Sequence, residues 1–284
     1  MTIKEIQKQF LAALNKMYGA GEAAAMTTMI FESLGNITTR DLTTKANVEV
    51  ENSIDVKFMD ALKKLIDHVP VQHIIGKAWF YNLSFTVNKS VLIPRPETEE
   101  LVLEAINFLK LHKSKNVVDI GTGSGCIPIS IKKNVTDAIV TSLDVSHGAL
   151  ELATKNALDN NVDIHFLNFD FLEEKNYDLL PKFDVIISNP PYIPENEKHI
   201  LDKNVTMYEP HLALFVPQND PLLFYKKILI FAEEHLEEGG QIFLEIHEDF
   251  AAATATIFTE KKYTVTIKKD MQGKERMLLI NRYR

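Results

Sequence analysis

Asn189-Pro190-Pro191-Tyr192 follows the apolar run Phe183-Asp184-Val185-Ile186-Ile187-Ser188, which reads as a buried strand. Two prolines would stop a sheet ladder for structural reasons alone. That reading does not account for an asparagine before them and an aromatic after. The four residues together suit chemistry at a planar –NH2 nitrogen, whose lone pair is delocalised and weakly nucleophilic. The Asn189 side-chain oxygen and the Pro190 carbonyl can each accept one of its N–H bonds and turn the lone pair toward an incoming methyl carbon. Positive charge builds on the nitrogen as the methyl arrives, so each such bond can strengthen by about 1.5–3 kcal/mol in the transition state. The prolines aim the carbonyl, and Tyr192 offers a face on which the planar group stacks. No general base is needed, because the methylated nitrogen sheds its proton readily. Asn189, Pro190 and Tyr192 are therefore the candidate catalytic residues, and Pro191 joins them in binding substrate.

A second cluster lies upstream in Asp119-Ile120-Gly121-Thr122-Gly123-Ser124-Gly125, directly after a strand and opening a helix. Glycines in that position let backbone turn tightly and approach a ligand. The spacing is G-x-G-x-G, with Cys126 next, and so misses the G-x-G-x-x-G dinucleotide fingerprint. Alone it indicates a nucleotide-like cofactor. Asp144 ends the following strand, where a carboxylate can take both hydroxyls of a ribose; capping the helix that begins near Ser146 is its plainer role. Phe171, after the third strand, can flank an adenine ring or serve as an ordinary core aromatic. Candidate cofactor residues are thus Asp119, Gly121, Thr122, Gly123, Ser124, Gly125, Asp144, Phe171 and Asn189.

These residues need a scaffold that brings several loops to one edge. From Asn116 onward, strands predicted at 117–120, 139–143, 164–167, 183–188 and 241–246 alternate with helices at 126–133, 147–159 and 222–236. Two final strands, 263–268 and 277–281, are too close together for a crossover helix and read as an antiparallel hairpin. The pattern predicts an α/β fold, a doubly wound seven-stranded sheet with a reversed strand at the end. Ahead of it, residues 1 to about 70 read as a small helical domain with helices near 6–17, 22–34, 38 onward and 53–68, the last stopped by Pro70. Between the two, 79–87 alternates, and Asn88-Lys89-Ser90 reads as a turn into Val91-Leu92-Ile93, a linking hairpin. The expected domains are 1–75, 76–94 and 95–284.

Composition bounds the remaining choices. The 284 residues are 45% apolar and 25% charged, which suits a soluble globular chain with a sizeable core. A single cysteine, Cys126, and an N-terminus without a signal-peptide core predict a cytoplasmic protein. No apolar run approaches the ~18 residues of a membrane span. The net charge of −8 argues against a direct nucleic-acid clamp, which needs a basic surface. Nine histidines without metal-ligand spacing predict no metal site.

The glycine loop, Asp144 and the Asn189–Tyr192 tetrapeptide together resemble the class I methyltransferases that use S-adenosylmethionine. Within these, the chain is most similar to the peptide chain release factor N5-glutamine methyltransferases. Further segments carry that narrower match: Pro70-Val71-Gln72-His73-Ile74-Ile75-Gly76, Ile93-Pro94-Arg95-Pro96-Glu97-Thr98-Glu99, Tyr208-Glu209-Pro210 with Ala213-Leu214, and Asp270 with Gly273 and Arg276. The resemblance implies a Rossmann-like methyltransferase sheet and S-adenosylmethionine as methyl donor, leaving S-adenosylhomocysteine. It implies release factors as protein substrates, modified at the glutamine of a Gly-Gly-Gln loop, and a helical domain that helps dock them. A monomer is expected. Pro128 and the glycine-poor stretch 215–221 depart from the family pattern. The rival readings are N6-adenine methylation of DNA or RNA, methylation of a ribosomal-protein glutamine, a nicotinamide-dependent oxidoreductase, and a non-catalytic adaptor that kept the fold.

Overall fold

Residues 1–113 and 115–282 are described by the computed structural model, in which the chain divides into two units. One comprises Met1–Lys77 with Asp202–Tyr208, the other Ala78–Leu201 with the chain from Glu209 onward.

In the first unit, α1 (Ile3–Tyr18) opens on a capping box: the Thr2 hydroxyl accepts from the Glu5 amide, and the Glu5 carboxylate accepts from the Thr2 amide. Gly19, with φ 78°, turns the chain into α2 (Ala20–Gly35). Thr38 caps α3 (Thr39–Thr44) in the same reciprocal way. The fourth helix, α4 (Asn52–Ile66), ends two residues before the predicted boundary, because His68 turns left-handed at φ 64°. A short α5 (Val71–Ile75) then starts after Pro70, which is pre-organised to open a helix as well as to stop one. Apolar residues at helical spacing converge on an aromatic centre: Phe31 stacks on Phe58 at 4.5 Å, and Phe10 meets Phe31 edge-on at 5.6 Å. The segment Asp202–Tyr208 closes this unit, the Tyr208 hydroxyl donating to the Asp67 carbonyl at 2.8 Å.

The second unit begins with a hairpin of β1 (Lys77–Phe80) and β2 (Leu83–Thr86). Its location differs from the sequence reading. The alternating run folds back on itself at Tyr81-Asn82, both left-handed (φ 49° and 60°), as a two-residue hairpin turn requires. Asn88 does make a turn, its side chain accepting from the Ser90 amide, but 91–93 leaves it without pairing in a sheet. Val91 and Ile93 are instead buried with Ala78, Val87, Ala149 and Leu152.

There follow α6 (Pro96–Leu111), β3 (Asn116–Ile120), α7 (Cys126–Asn134), β4 (Ile139–Asp144), α8 (His147–Asp159), β5 (His165–Asn168) and β6 (Phe183–Ser188). Next come β7 (Ile193–Pro194), α9 (Lys203–Tyr208, within the first unit), β8 (Phe215–Val216), α10 (Leu223–His235), β9 (Leu236–Glu245), α11 (Ala251–Thr259), β10 (Tyr263–Lys269) and β11 (Glu275–Arg282). Seven strands form one sheet in the order β10-β11-β9-β6-β3-β4-β5. Its strands are parallel except for β11, which runs antiparallel to both neighbours, β9 and β10.

Both faces of the sheet are covered, so alternate residues of each strand enter different cores. Val118, Ile120, Ile186, Ile242 and Leu244 pack with Tyr225, Ile228, Phe231 and Phe258. Val117, Val185, Ile187 and Phe243 pack with Leu101, Val102, Ile106, Ile127 and Ile129 on the other side. That explains why these strands read as near-continuous apolar runs. The chain winds outward from β3 to β5 and then returns to place β6 on the opposite flank of β3. This reversal opens a crevice at the carboxyl ends of β3 and β6, where doubly wound sheets take ligands.

Candidate active site

The glycine loop after β3 is shaped by three left-handed residues, Gly121 (φ 78°), Gly123 (φ 53°) and Gly125 (φ 80°). At Gly125 space is limiting as well, since a Cβ would come within 3.0 Å of the Ile129 side chain. The Gly121 and Thr122 amides both donate to the Leu143 carbonyl, and the Gly125 amide donates to the Thr122 carbonyl. Asp144, at the end of β4, binds the loop as well: its carboxylate accepts from the Gly123 amide and from the Ser146 amide, each at 2.9 Å. Helix α8 is capped by the Ser146 hydroxyl rather than by Asp144. Burial pushes the Asp144 carboxyl above its usual range, with those amides working against the shift.

A cleft of about 300 Å³ lies over these loops. Gly121, Thr122, Gly123, Ser124, Asp144, Phe171, Asn189, Pro190 and Pro191 all line it. Four segments separated by up to 70 residues are thus brought to one edge of the sheet. Asp119, Gly125 and Tyr192 are not on its wall. Asp119 sits behind the loop, fully buried, and burial drives its carboxyl up to about 7. Phe171 is largely core, packing on Tyr177 and Phe231 with ring centroids 5.1 and 5.5 Å away, and reaches the cleft only in part.

The cleft fits an adenosine-bearing methyl donor on its own chemistry. The glycine loop meets it with Gly121 and Gly123, left-handed positions where the missing Cβ leaves room for a ligand to approach the backbone, while the Thr122 and Ser124 hydroxyls are buried and turned toward Asp119 and Cys126. Asp144 lines the cleft from the carboxyl end of β4, and Leu143, Phe169, Phe171 and Ile127 supply apolar walls for a planar ring.

Asn189 emerges at the end of β6, whose last residue is locked by Ser188 donating to the Ile120 carbonyl at 2.7 Å. The Asn189 amide nitrogen donates to the Thr98 hydroxyl at 3.2 Å. Thr98 in turn donates to Glu245 at 2.6 Å, and Tyr192 donates to the other Glu245 oxygen at 3.1 Å. Arg95 pairs with Glu209 at 2.6 Å, and Glu209 also accepts from the Ile93 amide, so the segments around 95 and 209 brace one another beside the cleft.

Four residues that carry this architecture were not among the candidate site residues: Thr98 and Glu209, which the sequence offered only within family-like segments, and Asn156 and Glu245, which it did not single out. Asn156 is wholly buried; its amide accepts from the Thr86 amide and donates to the Thr86 and Ser124 carbonyls. Glu245 had a signal, being the lone carboxylate closing the apolar run Ile242-Phe243-Leu244. Asn156 had none, since one asparagine in a helix looks like any other until its neighbours are known.

Two family models match the chain: the PrmC N-terminal domain over residues 5–76 and the methyltransferase small domain over residues 99–209. The chain is 41% identical to a release factor glutamine methyltransferase of Flavobacterium psychrophilum, covering 99% of each protein. It is 38% identical to the protein so named in Streptococcus pneumoniae, covering 92% of each. Among solved structures, the hMettl16 catalytic domain in complex with MAT2A 3'UTR hairpin 6 superposes with a TM-score of 0.54 at 16% identity, over 85% of this chain and 87% of that one. At that identity the likeness is one of fold.

Proposed function

The chain belongs to the release factor glutamine methyltransferase family, and on that premise we propose that Asn189, Pro190 and Tyr192 carry out N5 methylation of a glutamine side chain. The observation that carries the reading is a single cleft walled on one side by the glycine loop and on another by Asn189-Pro190-Pro191. S-adenosylmethionine, bound there, supplies a methyl group on a sulfonium and so an electrophile that needs no activation by the protein.

The chain's own residues do the rest. The backbone of the glycine loop, from Gly121 to Ser124, holds the donor's polar groups, and Asp144 takes its ribose hydroxyls. Asn189 Oδ1 and the Pro190 carbonyl accept the two N–H bonds of the glutamine amide and orient its lone pair. Tyr192 lies off the wall of the cleft, its hydroxyl tied to Glu245, and braces the turn that carries Asn189 and Pro190. Rate comes from alignment and from hydrogen bonds that strengthen as the nitrogen becomes positive. The substrate is a release factor bearing the Gly-Gly-Gln loop, and the helical unit at the N-terminus docks it.

Mass spectrometry of a release factor incubated with the protein and S-adenosylmethionine tests this. One methyl on the glutamine of the Gly-Gly-Gln loop is expected. In Asn189→Ala, turnover is expected to drop by about 10²–10³-fold with cofactor affinity retained. Loss of cofactor binding with unchanged chemistry in that variant would remove Asn189 from the role.

A further inference from the structure

Asn189 can act as acceptor only if its side-chain oxygen, not its nitrogen, faces the substrate. An asparagine amide rotates half a turn with almost no change in shape, so packing alone does not choose between the two. The choice is made by a chain of buried groups behind it. Glu245 lies at the end of β9 with 2% of its surface exposed, and Thr98, in the first turn of α6, is equally buried. An ionised carboxylate accepts hydrogen bonds and donates none. Glu245 therefore takes the single Thr98 proton, at 2.6 Å, while its second oxygen takes the Tyr192 proton. With its proton committed, the Thr98 hydroxyl has only lone pairs to offer. Asn189 must meet them with N–H, as it does at 3.2 Å, and Oδ1 is left for the cleft that Asn189 lines.

We propose that Thr98 and Glu245 are positioning residues that set the orientation of the Asn189 amide through this one-way hydrogen-bond chain, so that an acceptor meets the substrate amide. The proposal rests on the methyl-transfer reading above. Structural need does not account for Glu245: an apolar side chain would close a buried strand at less desolvation cost. The same carboxylate holds Tyr192, so both residues flanking the two prolines are tied to one group.

The test combines kinetics with the side-chain 15N–1H resonances of Asn189, assigned by their loss in Asn189→Ala. Thr98→Val keeps the shape and removes the hydroxyl. It is expected to lower kcat by about 10- to 100-fold, the worth of one to two misdirected hydrogen bonds, with an unchanged KM for S-adenosylmethionine. Its Asn189 N–H is expected to shift and exchange faster with solvent. Thr98→Ser is expected to restore both readouts. Glu245→Gln, which can donate where the carboxylate cannot, is expected to shift the Asn189 resonance and lower kcat even if Thr98→Val fails to fold. Wild-type kcat together with an unmoved Asn189 resonance in Thr98→Val or Glu245→Gln overturns the proposal. A wild-type protein that methylates no release factor would overturn the substrate reading instead, and the resonances would still decide the orientation.

Discussion

Asp119 and Glu245 show how burial sets the behaviour of single carboxylates here. In the unfolded chain an aspartate ionises near pH 4, whereas Asp119 folded does so at about 7. Between those values the folded protein keeps a proton that the unfolded chain releases, so Asp119 lowers stability as pH rises across that window. The cost approaches about 4 kcal/mol at most, from about 3 pH units at 1.36 kcal/mol each. Asp119→Asn is accordingly expected to melt higher than wild type at pH 8, without cofactor, with the gap closing toward pH 4. Equal melting at pH 8 would mean that ionised Asp119 finds compensation in the folded state. Glu245 is also pushed upward by burial, opposed by hydrogen bonds from Thr98 and Tyr192 and by the nearby Arg276 charge, with Glu97 adding to the rise. Because the chain to Asn189 needs the carboxylate, kcat is expected to fall as pH drops through a value above the ordinary glutamate range. A rate profile that keeps this limb in Glu245→Gln would assign it to another group.

At the scale of elements, α8 helps to hold the cofactor loop from behind. Asn156 joins the end of β2, the Ser124 carbonyl of the loop and its own helix through three hydrogen bonds. Asn156→Ala would leave the Thr86 amide and the Ser124 carbonyl unpaired in a buried setting. A loss of about 2–4 kcal/mol in unfolding free energy is expected, measurable by denaturant titration, with weaker cofactor binding by calorimetry. A change under about 0.5 kcal/mol would show that the loop keeps its shape without this anchor. The hairpin turn makes the converse point. Tyr81 and Asn82 are both left-handed, and glycine suits the second position of such a turn. Asn82→Gly is expected to be tolerated, whereas Asn82→Val should destabilise the hairpin by about 1–2 kcal/mol in the same assay.

At the scale of the whole molecule, the two units divide the work proposed for them, docking in the helical one and transfer in the sheet. If docking matters, a short peptide carrying Gly-Gly-Gln should be methylated with a much higher KM than an intact release factor while kcat changes little. Equal KM values would leave the helical unit without that role. Among the described residues no helix is long and apolar enough to cross a membrane. Much of this was legible in the residues. Strand and helix periods revealed the seven strands: the inner ones are buried on both faces and read as nearly continuous apolar runs, and the exposed edge strands β5 and β10 were marked by their place in the alternation and the closing hairpin. The tetrapeptide and glycine loop announced their chemistry because it depends on residue types adjacent in the chain. The hairpin register was misread because the left-handed pair Tyr81-Asn82 carries no glycine to mark the turn, while Asn88-Lys89-Ser90 looks like one. The roles of Thr98, Asn156, Glu209 and Glu245 stayed hidden for a different reason. Their roles are hydrogen bonds spanning 32 to 147 residues, and a partner that distant exists only once the sheet has brought its edges together.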